Sequence, residues 1–323
     1  MLTKRGMPFS LAGSGIVCLL LGSMSVCQGQ AVPRVFVSTN GSDLNPCSAV
    51  QPCRSFNQAL TQVEAGGEIV VQNSGGYSTG FTITQGVTID AAGFNASVIS
   101  INNTDLCTIN AAPTDRVVLR GISFHGASMG SNGINVTQVG SLYVEHCSIG
   151  EFTNCGVNMP NGGSLFVTGT DVRGCGNAGV LAFTTGALAV SLEAHDSRFM
   201  ECNIGVVLQT AGTGPAMGLL SDCTASVGGT GFDAQSSGAG NTNMTLTNCR
   251  ASGNVAGVSA ETSSTGAVTI GITNCVVTQN RNNGLTTLKL GAGIPTIVGT
   301  SPGSNDISGN GTNGTVNSSV TLQ

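Results

Sequence analysis

The apolar positions of this chain fall into short runs that alternate with polar ones, as in Ile270 and Ile272 followed by Cys275 and Val277. A period of two is that of a strand with one buried face. The step from Ile272 to Cys275 is three, so the chain bends there without turning its inward set outward. The runs also recur. "LTNCRASGNVAGV", starting at Leu246, is echoed by "ITNCVVTQNRNNGL", starting at Ile272. Gly before an apolar residue stands at Gly133, Gly156, Gly179, Gly205, Gly231, Gly257 and Gly284, at intervals of 23, 23, 26, 26, 26 and 27. A second column, small and often sulfur-bearing, keeps step with it: Cys147, Thr170, Ser197, Cys223, Cys249 and Cys275. The residues just before this column are His146, Gly169, Asp196, Asp222, Asn248 and Asn274. These are types that tolerate a left-handed backbone.

Repeat units of this length, built of short strands and bends with no helical period between them, predict an all-β solenoid. One coil cannot bury its inward face alone; stacking coils about 4.8 Å apart completes both the ladder and the core. No hexapeptide period appears, and the long coil favours the right-handed parallel β-helix over the smaller left-handed one. The open front end has a plug in "SFNQALTQV", whose Phe56, Ala59, Leu60 and Val63 share one helical face, with Ser55 as N-cap. The back end offers only the polar "NDISGNGTNGTVNSSVTLQ", expected to blunt the last edge or to be partly disordered. The organisation expected is therefore a leader over residues 1–31, an N-terminal cap over 32–66, and the β-helix with a polar tail over 67–323.

Composition sharpens this picture. Gly 48, charged residues at 8% and no Trp are unlike a mixed globular enzyme, while 40% apolar content excludes a disordered chain. Lys4 and Arg5, the stretch "GIVCLLLG" and the small residues before Ala31 read as an export signal, too short to span a membrane. Cys27 as a lipoprotein anchor is the competing reading, and bulky Val26 before it opposes that. Losing Lys4 and Arg5 would move the net charge from −5 to −7, and no basic run remains to hold nucleic acid. Export implies an oxidising compartment, periplasmic or extracellular. Cys47 and Cys53 in "NPCSAVQPC" then read as a disulfide, whereas the cysteine column reads as small apolar filler. No C-x-x-C pair or His cluster indicates zinc.

Charges gather in the middle coils. Column alignment sets Asp196 beneath Asp222 and Asp171 beneath Arg198. Two carboxylates about 5 Å apart can share a cation such as Ca2+ or raise one pKa; equally, Asp196 and Asp222 continue the Asn248 and Asn274 turn column. Asp171 with Arg198 is either a fork that positions an acidic sugar or a surface ion pair. His195 beside Asp196 is a candidate acid or base if the bend brings the two together, Arg173 is a candidate helper in proton removal, and His146 is a candidate acid or base like His195. His125 in "SFHGASMG" reads as a surface residue.

The stretch "VFVSTNGSDLNPCSAVQPCRSFNQALTQVEAGGEIVVQNSGGYSTGFTITQGVTIDAAG", from Val35 to Gly93, resembles the opening of secreted right-handed parallel β-helix proteins of the pectin-lyase-like superfamily. It is most similar to a bacterial group that begins with a strand, a G-x-D loop, a cysteine clasp, a capping helix and "GGEI". The resemblance implies the fold. That superfamily holds lyases, hydrolases, epimerases and non-catalytic proteins, and the chain has no "DD" pair and a single lysine, Lys289, after the leader. No catalytic motif carries over residue by residue. Two functions are expected: a monomeric secreted or envelope protein that acts as a surface scaffold or contacts carbohydrate, or a lyase on acidic polysaccharide whose cation is held by Asp196 and Asp222. The scarcity of Trp and Tyr weighs against sugar contact.

Overall fold

The computed structural model describes residues 31–299, 304–314, 316 and 318–319. The expected leader, but for Ala31, lies outside them. From Val32 onward the described chain winds through three parallel sheets of 12, 10 and 9 strands. The first sheet opens with Val32–Val37, the second with Gly75–Ser78 and the third with Phe81–Ile83. From Val63–Val71 to Asp306–Ser308 the chain visits the sheets in that order, one strand in each per coil, so that successive coils supply the neighbours within a sheet.

Register follows the repeat. Val144, Val167, Ala194, Leu220, Leu246 and Ile272 pair in succession on the first sheet, all buried. Past the bend, Ile149, Val172, Phe199, Ala225, Ala251 and Val277 form the facing column of the second sheet. Cys223, Cys249 and Cys275 line up between the two, each thiol pointing at carbonyl oxygens of its own and the preceding coil. The bend itself is left-handed in each of these coils: His146, Asp196, Asp222, Asn248 and Asn274 have φ between 48° and 55°, and Gly169 has 57°. Each bend donates its N–H to the next coil, as from Asp196 to Ser221 and from Asp222 to Thr247.

The glycine column has a different cause. A Cβ on Gly205 would lie 2.5 Å from the carbonyl oxygen of Gly231, and one on Gly179 would lie 2.6 Å from that of Gly205. Coils approach too closely there for any side chain, and the next residue, apolar, turns into the core.

A second left-handed column, not evident in the sequence, turns the chain from the second sheet to the third. It runs through Glu151, Gly174, Glu201, Val227, Gly253, Gln279 and Gly309. Glu, Val and Gln are not turn residues, so nothing in their types announces the bend. Just beyond it, Asn254, Asn280 and Asn310 stack as a ladder of side-chain amides. Asn254 Nδ2 donates to Asn280 Oδ1 at 3.2 Å and Asn280 Nδ2 to Asn310 Oδ1 at 2.9 Å. The same amides bind the Ala225, Ala251 and Val277 carbonyls.

The front is closed as expected. The helix Phe56–Gln62 has Ser55 as N-cap, its hydroxyl accepting from Gln58 N at 3.2 Å. Phe56 and Ala59 are buried, Leu60 partly so, and Phe56 packs 5.3 Å from both Tyr77 and Phe81. Cys47 and Cys53 form a disulfide that clasps the loop ahead of the helix. At the back, Asp306–Ser308 pairs with Val276–Thr278 and Thr312 bridges Asn283, so that among the described residues polar ones extend the ladder and no helix closes it.

Candidate functional site

Outward residues of the first sheet form rows, because alternate residues of each strand point to solvent. One row runs Asp90, Arg120, Glu145, Thr168, His195, Ser221 and Thr247, and the next runs Val118, Tyr143, Phe166, Glu193, Leu219 and Thr245. Arg120 bridges Asp90 at 3.1 Å and Glu145 at 2.8 Å. In the second row the rings of Tyr143 and Phe166 stack, with centroids 4.4 Å apart and planes 7° apart. The Arg116 guanidinium carbon lies 4.2 Å above the Tyr143 ring centre. Arg116 thus caps the Tyr143 end of the stack.

At the other end Phe166, half-buried, walls a depression of about 350 Å3. Beyond that ring lie Ser191 and Glu193, then Met217 and Leu219, then Asn243 and Thr245, one pair from each following strand. Glu193 is the one charged residue among the lining. Its Oε1 lies 2.7 Å from His195 Nε2, and His195 Nδ1 lies 2.5 Å from Ser221 Oγ. A carboxylate can only accept, so Nε2 carries the ring proton and Nδ1 accepts from the serine hydroxyl. A second cavity, of about 530 Å3, opens where the chain passes from the third sheet to the first, between turns that include Thr137, Asn161 and Leu188. Its lining has no titratable side chain. Ala189 borders this cavity and Ser191 the depression, close together along one stretch of chain.

The residues singled out from sequence are distributed over several faces. Asp171 and Arg198 pair in register on the second sheet, with Nε to Oδ1 at 2.6 Å and a second nitrogen to Oδ2 at 2.8 Å. This ion pair is solvent-exposed, on a different sheet from the depression. Arg173 is exposed on the same sheet, opposite Gly150 and Met200. Asp196 and Asp222 stack at exposed bends, and Asp222 Oδ1 already accepts from Asn248 Nδ2 at 3.2 Å. The His195 ring is engaged elsewhere than at Asp196, its two nitrogens taken by Glu193 and Ser221. Gly169 and Asn248 flank the two aspartates in the column, and among the described residues no group of three or more His, Cys, Asp or Glu could hold a metal ion. Calcium takes six to eight oxygen ligands, rich in carboxylate. This column does not supply them.

His146 is exposed at its bend, and His125 faces Glu151 at 3.6 Å. Burial pushes the Cys147 thiol up to about 12, so this inward thiol stays protonated and unreactive. Asp233, one of the middle-coil charges, is buried on the third sheet with Oδ1 lacking a partner. Burial first, then the charge of Glu261, raises its pKa to about 7.

Sequence reasoning missed Tyr143, Phe166 and Ser221. A signal for the aromatic pair was present: Tyr143 and Phe166 stand one local repeat interval apart, each flanked by inward aliphatics. For Ser221 there was none, since serine and threonine fill so many outward positions.

Residues 85–242 match the family described as right handed beta helix region. No curated protein matches the sequence. Among solved structures, the chain is similar to pectate lyase Pel9A, with a TM-score of 0.51 at 17% identity over 91% of this chain and 79% of that one. XylC in complex with xylose gives 0.48 at 9% identity, covering 79% and 69%, and a rhamnogalacturonan lyase gives 0.37 at 11%, covering 86% and 87%. Identities this low speak to fold and not to chemistry. With its three parallel sheets, stacked register and capping helix, the chain has the right-handed parallel β-helix fold.

Proposed function

We propose that this protein contacts polysaccharide through the outward face of its first sheet, with one sugar ring seated against Phe166. The observation that carries this reading is Phe166 at the wall of a depression that also presents hydroxyl, amide and carboxylate groups. Sugar rings have apolar faces edged with hydroxyls. An aromatic wall beside Ser191, Glu193, Asn243 and Thr245 meets both features. The neighbouring cavity, bordered by Ala189 just ahead of the strand that carries Ser191, gives room for further sugars of a chain.

The lining carries a carboxylate and no cation, so a neutral glycan fits better than a uronate, whose charge Glu193 would repel. This favours the carbohydrate-contacting role over the lyase role for acidic polymers. An exported location accords with the Cys47–Cys53 disulfide, since such bonds persist in oxidising compartments. No helix among the described residues is long and apolar enough to cross a membrane.

Affinity electrophoresis of the full chain through gels containing neutral or acidic polysaccharides tests the proposal. Retardation by a neutral polymer is expected, with Phe166→Ala weakening it about tenfold, the value of one aromatic stacking contact. Equal mobility of the variant and the parent in every gel would remove Phe166 from the account.

A further inference from the structure

Beside the depression, three side chains form a hydrogen-bonded relay that sugar contact does not require. Ser221 Oγ sits 2.5 Å from His195 Nδ1, and His195 Nε2 sits 2.7 Å from Glu193 Oε1. Two adjacent strands hold them: Glu193 and His195 are alternate outward residues of Val190–His195, and Ser221 is the register partner of His195 on Ala216–Ser221. All three are partly exposed, so a substrate can reach them. We infer that Ser221 is a nucleophile, activated by His195 and held in line by Glu193, that cleaves carboxylic esters of an alcohol or a sugar hydroxyl.

The chemistry closes with water as the only co-reactant. Ser221 Oγ bonds to the ester carbonyl carbon while its proton moves to the free lone pair of Nδ1. The tetrahedral adduct collapses, the bond from carbon to the alcohol oxygen breaks, and the alcohol leaves with the proton from Nδ1. Water then attacks the acyl-serine, its proton passing to Nδ1, and the acid departs as Ser221 recovers its hydrogen. Exposed Met217 and Leu219, on the strand of Ser221, offer an apolar seat for a short acyl group. Thr247 succeeds Ser221 in the same row, an outward hydroxyl on the far side from His195. Glu193 is a positioning residue: its carboxylate fixes the proton on Nε2 and so leaves Nδ1 able to accept.

The test uses the full chain with p-nitrophenyl acetate and, separately, a fluorophosphonate probe with peptide mapping. Expected are p-nitrophenol release above the buffer rate and a single adduct on Ser221. Ser221→Ala and His195→Ala should each slow turnover roughly a hundredfold or more. Glu193→Gln can donate to Nε2 as well as accept, so the ring proton is no longer fixed there; kcat should fall while KM and the melting temperature hold. An adduct on another residue, no adduct at all, or a Ser221→Ala variant as fast as the parent would overturn the inference. Because neither reagent is a sugar, either result leaves the Phe166 binding experiment to be decided separately.

Discussion

The two bends of each coil do the same geometric work with unlike chemistry. At the first, between the first and second sheets, the left-handed residue is Asp, Asn, His or Gly, and the residue after it is a small buried Cys, Thr or Ser. At the second, the left-handed residue includes Glu201, Val227 and Gln279, and the inward residue after it is Cys175 or Cys202 in middle coils and one of the Asn254, Asn280 and Asn310 ladder in later ones. Besides N–H donors of the preceding coil, which Thr170 Oγ1 and Ser197 Oγ accept at 3.3 and 3.2 Å, the first bend offers carbonyl acceptors to its inward side chain. Thr170 and Ser197 hydroxyls satisfy them, at 3.0 and 2.8 Å, in the place where Cys249 uses its thiol at 3.4 Å. The second bend leaves both a carbonyl and an N–H open: Asn280 Nδ2 serves Ala251 O while its Oδ1 serves Asn254 N. An amide side chain does both at once. The first bend is thus served by small side chains until Asn305, which binds both Cys275 N and Ile272 O, whereas the second is served by an amide in each of its later coils.

Substitutions can break this contrast, and the largest effect belongs to the ladder. Asn280→Ala removes the side-chain donor to Ala251 O and the acceptor of Asn254 N in a site 1% exposed, and should cost about 3 kcal/mol in urea unfolding. A loss below about 1 kcal/mol would mean that water substitutes for the amide.

Asp233, on the strand that leaves the second bend, gives the next effect. Its folded-state pKa is raised from 3.8 to about 7, so the folded chain holds the proton more tightly than the unfolded one. The stability tied to that proton is full below about 3.8 and is lost as pH rises to and through about 7. Asp233→Asn escapes the loss, and its advantage over the parent should grow by about 2 kcal/mol between about pH 5 and pH 7. A gap that stays constant across that range would place the buried charge elsewhere.

Val227 has φ 60° and is 64% exposed. Val227→Gly relieves a left-handed β-branched residue and should stabilise by about 1 kcal/mol, read as a higher thermal midpoint. Smallest is Cys249→Ser, which reproduces the hydroxyl already used by Ser197 and should change stability by less than about 1 kcal/mol. If this change cost as much as Asn280→Ala, the distinction between the bends would collapse.

How far the sequence reaches differs in the same way. The strands, the coil length, the first bend, the glycine column and the Ser55-capped helix are all legible in it, because each coil meets the same local demand and answers it with the same residue type, and the cap is a local signal of its own. The pairing of Asp171 with Arg198 follows from register alone. The second bend is illegible because Glu151, Glu201, Val227 and Gln279 share a conformation and no chemistry.

The candidate site is the extreme case. Phe166, Glu193, His195 and Ser221 come from three successive coils, and each differs from its neighbours in the row. Repetition, the long-range signal of this chain, has nothing to say about a group of unlike residues. Sequence by itself determined the solenoid, its cap and which side chains point inward, since alternation and steric tolerance are local properties of the backbone. The tertiary structure alone decided which outward side chains meet, because contact across coils depends on register and rotamer together, and the rotamer leaves no mark on the order of amino acids.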